Sequence, residues 1–377
     1  MPASIAELFT PFTLNGLTLP NRIVMAPMTR NFSPGGVPGP DVAAYYQRRA
    51  EGGVGLILTE GTSPNHPQAA NMPQIPHIYG DAALAGWSRV VAGVHAAGGR
   101  IFSQLWHVGA VQSQGGPPKL PVSPVSPSGF LKPDVKVGEP MTQADIDAVI
   151  QAFAQGAAAA QRASFDGIEI HGAHGYIIDE FFWDGTNRRT DKYGGDLVQR
   201  TRFAVEIIQE CRRRTGPSFP IQLRFSQWKG QEYTARLAKT PQELAKFLEP
   251  LTAAGLDAFH CSTRRFWEPE FEGSDLNLAG WTKKLSGKPT ITVGSISLDV
   301  DFMVSLGRVA GQASPPQDGA SRAAHMDRLA EMLARGDFDL VAVGRALLAD
   351  PNWPMKVRDG RFSELNSFSP ETLKTLV

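Results

Sequence analysis

The stretch FDGIEIHGAHGY (Phe165–Tyr176) contains the pattern that decides the fold. Its first half is a short apolar run, predicted to be a β-strand, and side chains alternate between the two faces of a strand. Ile168 and Ile170 therefore point to one face, and Glu169 and His171 point to the other. Polar and glycine residues follow at once. A short strand that ends in a polar turn is the unit from which parallel α/β folds are built.

Seven other runs along the chain have the same character. The eight predicted strands are Ile23–Thr29, Val54–Glu60, Arg100–Trp106, Phe165–His171, Pro220–Phe225, Leu256–Ser262, Pro289–Gly294 and Phe338–Gly344. Helical patterns separate most neighbours, and two of them begin with capping sequences, TQAD at Thr142 and TPQE at Thr240. This alternation predicts an α/β fold, a single (β/α)8 TIM barrel. An open doubly wound sheet is the rival, but the first strand-to-helix turn, APMTRN, lacks the glycines with which such a sheet binds phosphate.

Several long loops follow predicted strand ends. We predict one domain over residues 1–377, with a loop insertion at about 108–141 and further long loops at Thr263–Ala279 and Ser297–Ala320. Loops in these positions lie on the face where TIM barrels carry their active sites.

Composition excludes several classes of protein. The 37 Lys and Arg residues balance the 37 Asp and Glu residues, which disfavours a nucleic-acid binder or a polybasic membrane anchor. Two cysteines cannot hold an Fe–S cluster or a zinc site made of four cysteines. No secretory signal pattern or membrane-length apolar run is visible, so we expect a cytoplasmic enzyme.

Three inward-pointing polar residues on neighbouring strands, Gln104, His171 and Arg224, are predicted to converge at the mouth of the barrel. Burying such groups is unfavourable unless a polar partner satisfies them. A network of mutual hydrogen bonds could do so, but a polar ligand that fills the mouth is the favoured interpretation.

Two histidines and a tyrosine, His171, His174 and Tyr176, follow the fourth strand within six residues. They leave three interpretations open: a metal site with Asp179 or Glu180 as the third ligand, an oxyanion-binding site, or structural histidines. Nothing in the local spacing decides among them.

The turns after the last two strands favour a phosphorylated cofactor. Gly294-Ser295 and Gly344-Arg345 end strands 7 and 8, where barrels of this kind commonly bind phosphate. Glycine permits a close approach of the backbone, and an arginine can donate two hydrogen bonds to one phosphate.

Five motifs resemble those of the Old Yellow Enzyme family of FMN-dependent ene-reductases, which includes the 12-oxophytodienoate reductases. They are PNRIVMAPMTRN (Pro20–Asn31), SQLWHVG (Ser103–Gly109), HGAHGYIIDEFF (His171–Phe182), NRRTDKYGGD (Asn187–Asp196) and VGRALLADPNW (Val343–Trp353). The resemblance extends from about Leu8 to Trp353. It implies a TIM barrel that binds FMN non-covalently, without a metal, and that takes electrons from NADPH or NADH.

The resemblance also implies which residues contact the cofactor. They are Pro27, Met28, Thr29, Gly61, Gln104, Arg224, Gly294, Ser295, Gly344 and Arg345. Within this set, Thr29 would lie near O4 of the flavin, Gln104 at its pyrimidine edge and Arg224 near N1 and O2. The last four residues would hold the ribityl phosphate.

Catalytic roles are implied in the same way. His171 and His174 would bind the carbonyl or nitro oxygen of the substrate, and Tyr176 would donate the proton. Trp106 and Trp228, with the loop Arg264–Trp267, are our predictions for the pocket walls.

The implied reaction is the ping-pong reduction of an activated alkene, an α,β-unsaturated carbonyl or nitro compound, with hydride from flavin N5. Reduction of nitrate esters or nitroaromatics at the same site is the enzymatic alternative, and a flavin-binding sensor or scaffold is the non-enzymatic one. The sequence leaves the choice of nicotinamide and of monomer or homodimer open.

The chain departs from the family pattern at two turns. Strand 5 continues as RFSQWK (Arg224–Lys229), where many relatives have a short Ser-Pro turn, and strand 7 ends in VGSIS rather than a Gly-Gly or Gly-Asn pair.

Overall fold

Eight parallel strands close into a barrel in the computed structural model, which describes residues 5–114, 123–298 and 319–377. The strands in these ranges are β1 (Phe12–Leu14), β2 (Leu17–Leu19), β3 (Ile23–Met25), β4 (Leu56–Thr62), β5 (Arg100–Leu105), β6 (Phe130–Lys132), β7 (Val135–Lys136), β8 (Gly167–His174), β9 (Ile221–Lys229), β10 (Ala258–Ser262), β11 (Thr290–Val293) and β12 (Leu340–Val343). The barrel order is β3-β4-β5-β8-β9-β10-β11-β12, and β12 pairs with β3. The predicted TIM barrel is confirmed, and each predicted strand overlaps an observed one.

Helices cover the outside of the barrel. Those in the described ranges are α1 (Pro40–Glu51), α2 (Asp81–Ala96), α3 (Gln143–Arg162), α4 (Ile177–Phe182), α5 (Leu197–Arg200), α6 (Arg202–Thr215), α7 (Pro241–Ala253), α8 (Leu278–Ser286), α9 (Gly319–Ala334), α10 (Arg345–Ala349) and α11 (Trp353–Arg358). Thr142 and Asp145 form the capping box of α3, and the Thr240 side chain caps α7. None of the helices in the described ranges combines the length and the apolar character needed to cross a membrane.

The interior of the barrel changes from apolar to polar along its axis. The β1–β2 hairpin, which the sequence analysis did not predict, packs Leu14 and Leu19 against an apolar layer that includes Leu56, Phe102 and Leu340. The polar residues of β5, β8 and β9 come later in the same strands. They therefore lie towards the C-terminal mouth, as the strand alternation predicts.

Two regions differ in extent from the prediction. Strand β3 ends at Met25, whereas the sequence predicted a strand up to Thr29, and β9 continues four residues past the predicted end at Phe225. The predicted insertion at 108–141 contains a 3-10 turn at Gly109–Gln114 and the β6–β7 hairpin. Residues 115–122 of that insertion, and residues 299–318 of the predicted loop after strand 7, lie outside the described ranges.

Candidate active site

A fully buried carboxylate, Glu169 of β8, is the centre of the polar layer. Its Oε1 accepts a hydrogen bond from Gln104 Nε2 (2.7 Å), and its Oε2 accepts one from Gln222 Nε2 (2.6 Å) and is bonded to His260 Nδ1 (2.7 Å). Burial opposes ionisation of Glu169, but His260, Arg224 and the Gln104 amide bring its carboxyl pKa below the ordinary value. Because both glutamine amide groups donate to Glu169, their carbonyl oxygens are available to other donors.

A buried guanidinium lies next to this centre. Arg224 Nη2 donates to Ser262 Oγ (3.3 Å), and the same hydroxyl is 2.8 Å from His174 Nε2. Three buried atoms here, Arg224 Nε, Gln222 Oε1 and His260 Nε2, have no hydrogen-bond partner among the described residues. Buried polar groups are normally paired. This donor and these acceptors therefore mark a place that suits a polar ligand.

The two histidines of the predicted site are neutral. Burial and the charge of Arg224 lower the pKa of His171 to about 3, and the same two causes hold the pKa of His174 well below its ordinary value. His171 Nδ1 accepts a hydrogen bond from the Ala173 N–H (3.3 Å), so its ring proton is on Nε2. Each ring can thus donate one hydrogen bond without carrying a charge.

Aromatic rings fix the orientation of these side chains. Tyr176 packs edge-to-face against His171 and against Trp106, with centroids 5.1 Å apart in both pairs, and Trp228 stacks on His174 at 4.6 Å. A Cβ at Gly61 would lie 2.5 Å from the Trp106 ring, so only glycine permits this position of the indole. The structure thus brings the three predicted catalytic residues together with Trp106 and Trp228.

A second group of predicted residues meets at the ends of β11 and β12. Gly294 has φ +148°, and a Cβ there would lie 2.7 Å from Thr263 Oγ1, so glycine is required. Ser295 Oγ donates to the Arg264 carbonyl (2.9 Å) and lies 3.5 Å from Nη2 of the buried Arg345. Gly344 lies against Met28.

Other predicted residues have different surroundings. Pro27 is buried and Met28 half-buried after β3, while Thr29 is exposed, and its hydroxyl makes no hydrogen bond to the described residues. Trp267 stacks on His325 of α9, at 4.8 Å, and in the same loop Arg264 lies over the Tyr233 ring.

The acidic residues that were considered as metal ligands have other partners. Asp179 forms an ion pair with Lys229, and Glu180 Oε1 accepts from the Ala110 N–H (2.7 Å). Within the part of the chain that the structure describes, no three His, Cys, Asp or Glu side chains are grouped as metal ligands.

Three residues of the site were not predicted: His260, Ser262 and Lys229. The alternation of β10 contained a signal for the first two, because Ala258, His260 and Ser262 share the inward face. The burial of Lys229 depends on Asp179, 50 residues away, and no local pattern indicates it.

Comparison with known proteins agrees with this architecture. Residues 7–313 match the model of the NADH:flavin oxidoreductase / NADH oxidase family. The NADH oxidase of Thermoanaerobacter brockii is 36% identical over 95% of this chain, which spans about half (52%) of the length of that protein. The 12-oxophytodienoate reductase 2 of Arabidopsis thaliana is 30% identical over 98% of this chain and 92% of its own. A structure of a morphinone reductase variant in complex with tetrahydroNAD has a TM-score of 0.77 and 30% identity, covering 97% of this chain and 93% of its own.

Proposed function

Because the chain belongs to the NADH:flavin oxidoreductase / NADH oxidase family, as its resemblance to the Old Yellow Enzymes indicated, we propose that it is an ene-reductase. FMN is the cofactor of this family, and NADH or NADPH is its reductant. The proposed reaction adds a hydride and a proton across the activated C=C bond of an α,β-unsaturated carbonyl or nitro compound, in a ping-pong cycle. The observation that carries the proposal is the convergence of two neutral histidines and a tyrosine on one turn beside a buried arginine.

The polar centre of the barrel fits the pyrimidine edge of a flavin. That edge presents an N–H flanked by carbonyl groups. The Gln104 carbonyl, freed by the bond from its amide to Glu169, suits the N–H, and the Arg224 guanidinium suits a carbonyl oxygen or a negative charge. A buried guanidinium in this place would also stabilise negative charge on a bound flavin.

The second group of residues fits the phosphate. Arg345 would form charge-assisted hydrogen bonds with it, and Ser295, whose hydroxyl donates to the Arg264 carbonyl, would help to position the Arg345 guanidinium beside it. The glycines at positions 294 and 344 would allow the backbone to approach closely. Pro27, Met28 and Thr29 would line the ring from the end of β3, and Gly61 would contribute through its backbone.

When bound, FMN supplies hydride transfer from the nicotinamide to the alkene. Residues of the chain then stabilise the negative charge that develops on the substrate oxygen. His171 Nε2–H donates to this oxygen. Ser262 Oγ accepts from Arg224 and is bonded to His174 Nε2; in the tautomer in which Ser262 donates this second bond, the His174 proton is on Nδ1 and would donate to the substrate. One preorganised donor of this kind is typically worth about 3–4 kcal/mol in the transition state.

Tyr176 donates the proton to the alkene carbon that does not receive the hydride. A tyrosine hydroxyl carries a proton that it can donate, so Tyr176 can act as a general acid. Its ring is held between the His171 and Trp106 rings, which fixes the direction of the hydroxyl. Trp106 and Trp228 would form the walls that exclude water from the substrate.

Anaerobic turnover tests the proposal. The FMN-loaded protein should oxidise NADH or NADPH when cyclohexenone or a nitroalkene is present, and the saturated product should accumulate. His171→Ala/His174→Ala should lose this turnover, whereas His95→Ala should keep it, because His95 pairs with Asp166 near the N-terminal ends of β5 and β8. FMN-loaded protein that oxidises no nicotinamide with any enone would refute the proposal, and turnover with only nitrate esters or nitroaromatics would support the alternative reductase.

A further inference from the structure

The end of β9 is hydrogen-bonded to the turn that carries His174 and Tyr176. The His174 N–H donates to Ser226 Oγ (3.0 Å), and its carbonyl accepts from the Gly230 N–H (3.0 Å). His174 has φ +65°, a conformation that is unfavourable for a residue with a side chain and persists only when its surroundings hold it. The segment that provides these contacts is the one in which the chain departs from the family pattern.

A buried ion pair provides a further connection between the end of β9 and this turn. Asp179 in the first turn of α4 accepts the Gly175 N–H at Oδ2 (2.7 Å), and its Oδ1 is bonded to Lys229 Nζ. Both side chains are completely buried. The pair therefore connects the last residue of β9, through one carboxylate, to the backbone between the two catalytic side chains.

The backbone at Gly175 has a left-handed conformation that favours glycine, and it lies against the side chain of Gln231. Gly175 has φ +78°, and a Cβ there would lie 1.9 Å from Gln231 Oε1. The turn thus lies between the Gln231 side chain and the Asp179 carboxylate. A release of either contact would allow His174 and Tyr176 to move together.

We propose that Lys229 is a positioning residue for substrate binding, which fixes the directions of His174 and Tyr176 through Asp179 and Gly175. This inference rests on the proposed function. The competing view is that the pair contributes only to stability. The two views can be separated, because replacing a buried ion pair by neutral residues is often neutral for stability, since burial of the charges is itself unfavourable.

The test uses a phenol as a probe, because its oxygen resembles the enolate oxygen that the two histidines would bind. Para-substituted phenols should bind to the FMN-loaded parent and produce a long-wavelength charge-transfer band. Lys229→Met/Asp179→Asn leaves no unpaired charge and keeps an acceptor for the Gly175 N–H. We expect a phenol Kd about tenfold higher, a smaller effect than the hundredfold or greater loss of kcat that complete removal of an oxyanion donor causes. FMN retention should be unchanged, because the phosphate residues are on other strands.

The matched control is Lys356→Met/Asp350→Asn, which removes another lysine–aspartate pair, between α11 and the end of α10. It should leave the phenol Kd within twofold of the parent, whatever its effect on Tm. If the first variant does not fold, Lys229→Gln/Asp179→Asn replaces it, because it also leaves no unpaired charge and its two amides can hydrogen-bond to each other. A phenol Kd within twofold of the parent, in either folded and FMN-loaded variant, overturns the proposal. A parent protein that binds FMN but gives no phenol complex contradicts the proposed function instead.

Discussion

His171→Asn should make the free energy of unfolding less dependent on pH. The pKa of His171 is about 3 in the folded protein, because the ring is buried beside Arg224, and about 6.5 in an unfolded chain. Below pH 6.5 the His171 ring therefore binds a proton in the unfolded chain but not in the folded protein. The stability contributed by this ring is complete above pH 6.5 and is lost as the pH falls from there towards 3.

The size of this effect follows from the two pKa values. Between pH 7.5 and pH 5.0, His171 becomes protonated in the unfolded chain but not in the folded protein. The effect accumulates over about 1.5 pH units, from the unfolded pKa of about 6.5 down to pH 5.0. Each unit corresponds to about 1.4 kcal/mol, so the free energy of unfolding falls by about 2 kcal/mol. Asparagine does not titrate, and its amide is still a neutral donor. The variant should lose about 2 kcal/mol less than the parent between these two pH values.

Urea unfolding at pH 7.5 and 5.0, followed by circular dichroism at a fixed FMN concentration, measures both losses. Tyr176→Phe is the control, because it keeps both imidazole rings and should show the pH dependence of the parent. Equal losses in the parent and in His171→Asn would show that the ring titrates in the folded protein as it does in the unfolded chain. The description of His171 as a buried neutral donor would then be wrong.

Two other substitutions test the cofactor site and the buried centre. Arg345→Ala should raise the FMN Kd roughly 10- to 100-fold, the loss of affinity expected when hydrogen bonds to a charged group are removed. The flavin fluorescence recovered on release measures this Kd. Arg361 is an exposed arginine, so Arg361→Ala should retain FMN like the parent, and equal retention by both variants would exclude Arg345 from the phosphate site. Glu169→Gln turns one acceptor into a donor that faces another donor, on Gln104, Gln222 or His260. It should therefore lower the free energy of unfolding by about 1–3 kcal/mol. An unchanged Tm would argue against Glu169 as the acceptor of all three bonds.

The barrel could be predicted from local patterns because each strand is short, apolar and followed by polar residues. The predicted inward direction of Gln104, His171 and Arg224 also agrees with the structure, since alternation is a property of the strand itself. Strand ends were less predictable. The β9 extension to Lys229 contains polar residues whose partners, in β10, in the turn after β8 and at Asp179, are distant in the sequence.

The site contains contacts that no local pattern could indicate. Glu169 and His260 are 91 residues apart, and they meet only because β8, β9 and β10 are neighbours in the closed barrel. In the sequence analysis, Glu169 appears only as a residue that shares the strand face of His171. The structure instead surrounds it with three donors.

The role of Tyr176 is the most direct test of the proposed reaction, and stopped-flow measurement of the two half-reactions of Tyr176→Phe provides it. Reduction of the FMN-loaded variant by NADH or NADPH should proceed at nearly the parent rate, because this step requires no phenolic proton. Reoxidation by cyclohexenone should slow roughly 10²–10⁴-fold, the usual contribution of a positioned general acid. An oxidative half-reaction at the parent rate would contradict the proposal that Tyr176 donates the proton, and a slowed reductive half-reaction would assign it to binding of the nicotinamide.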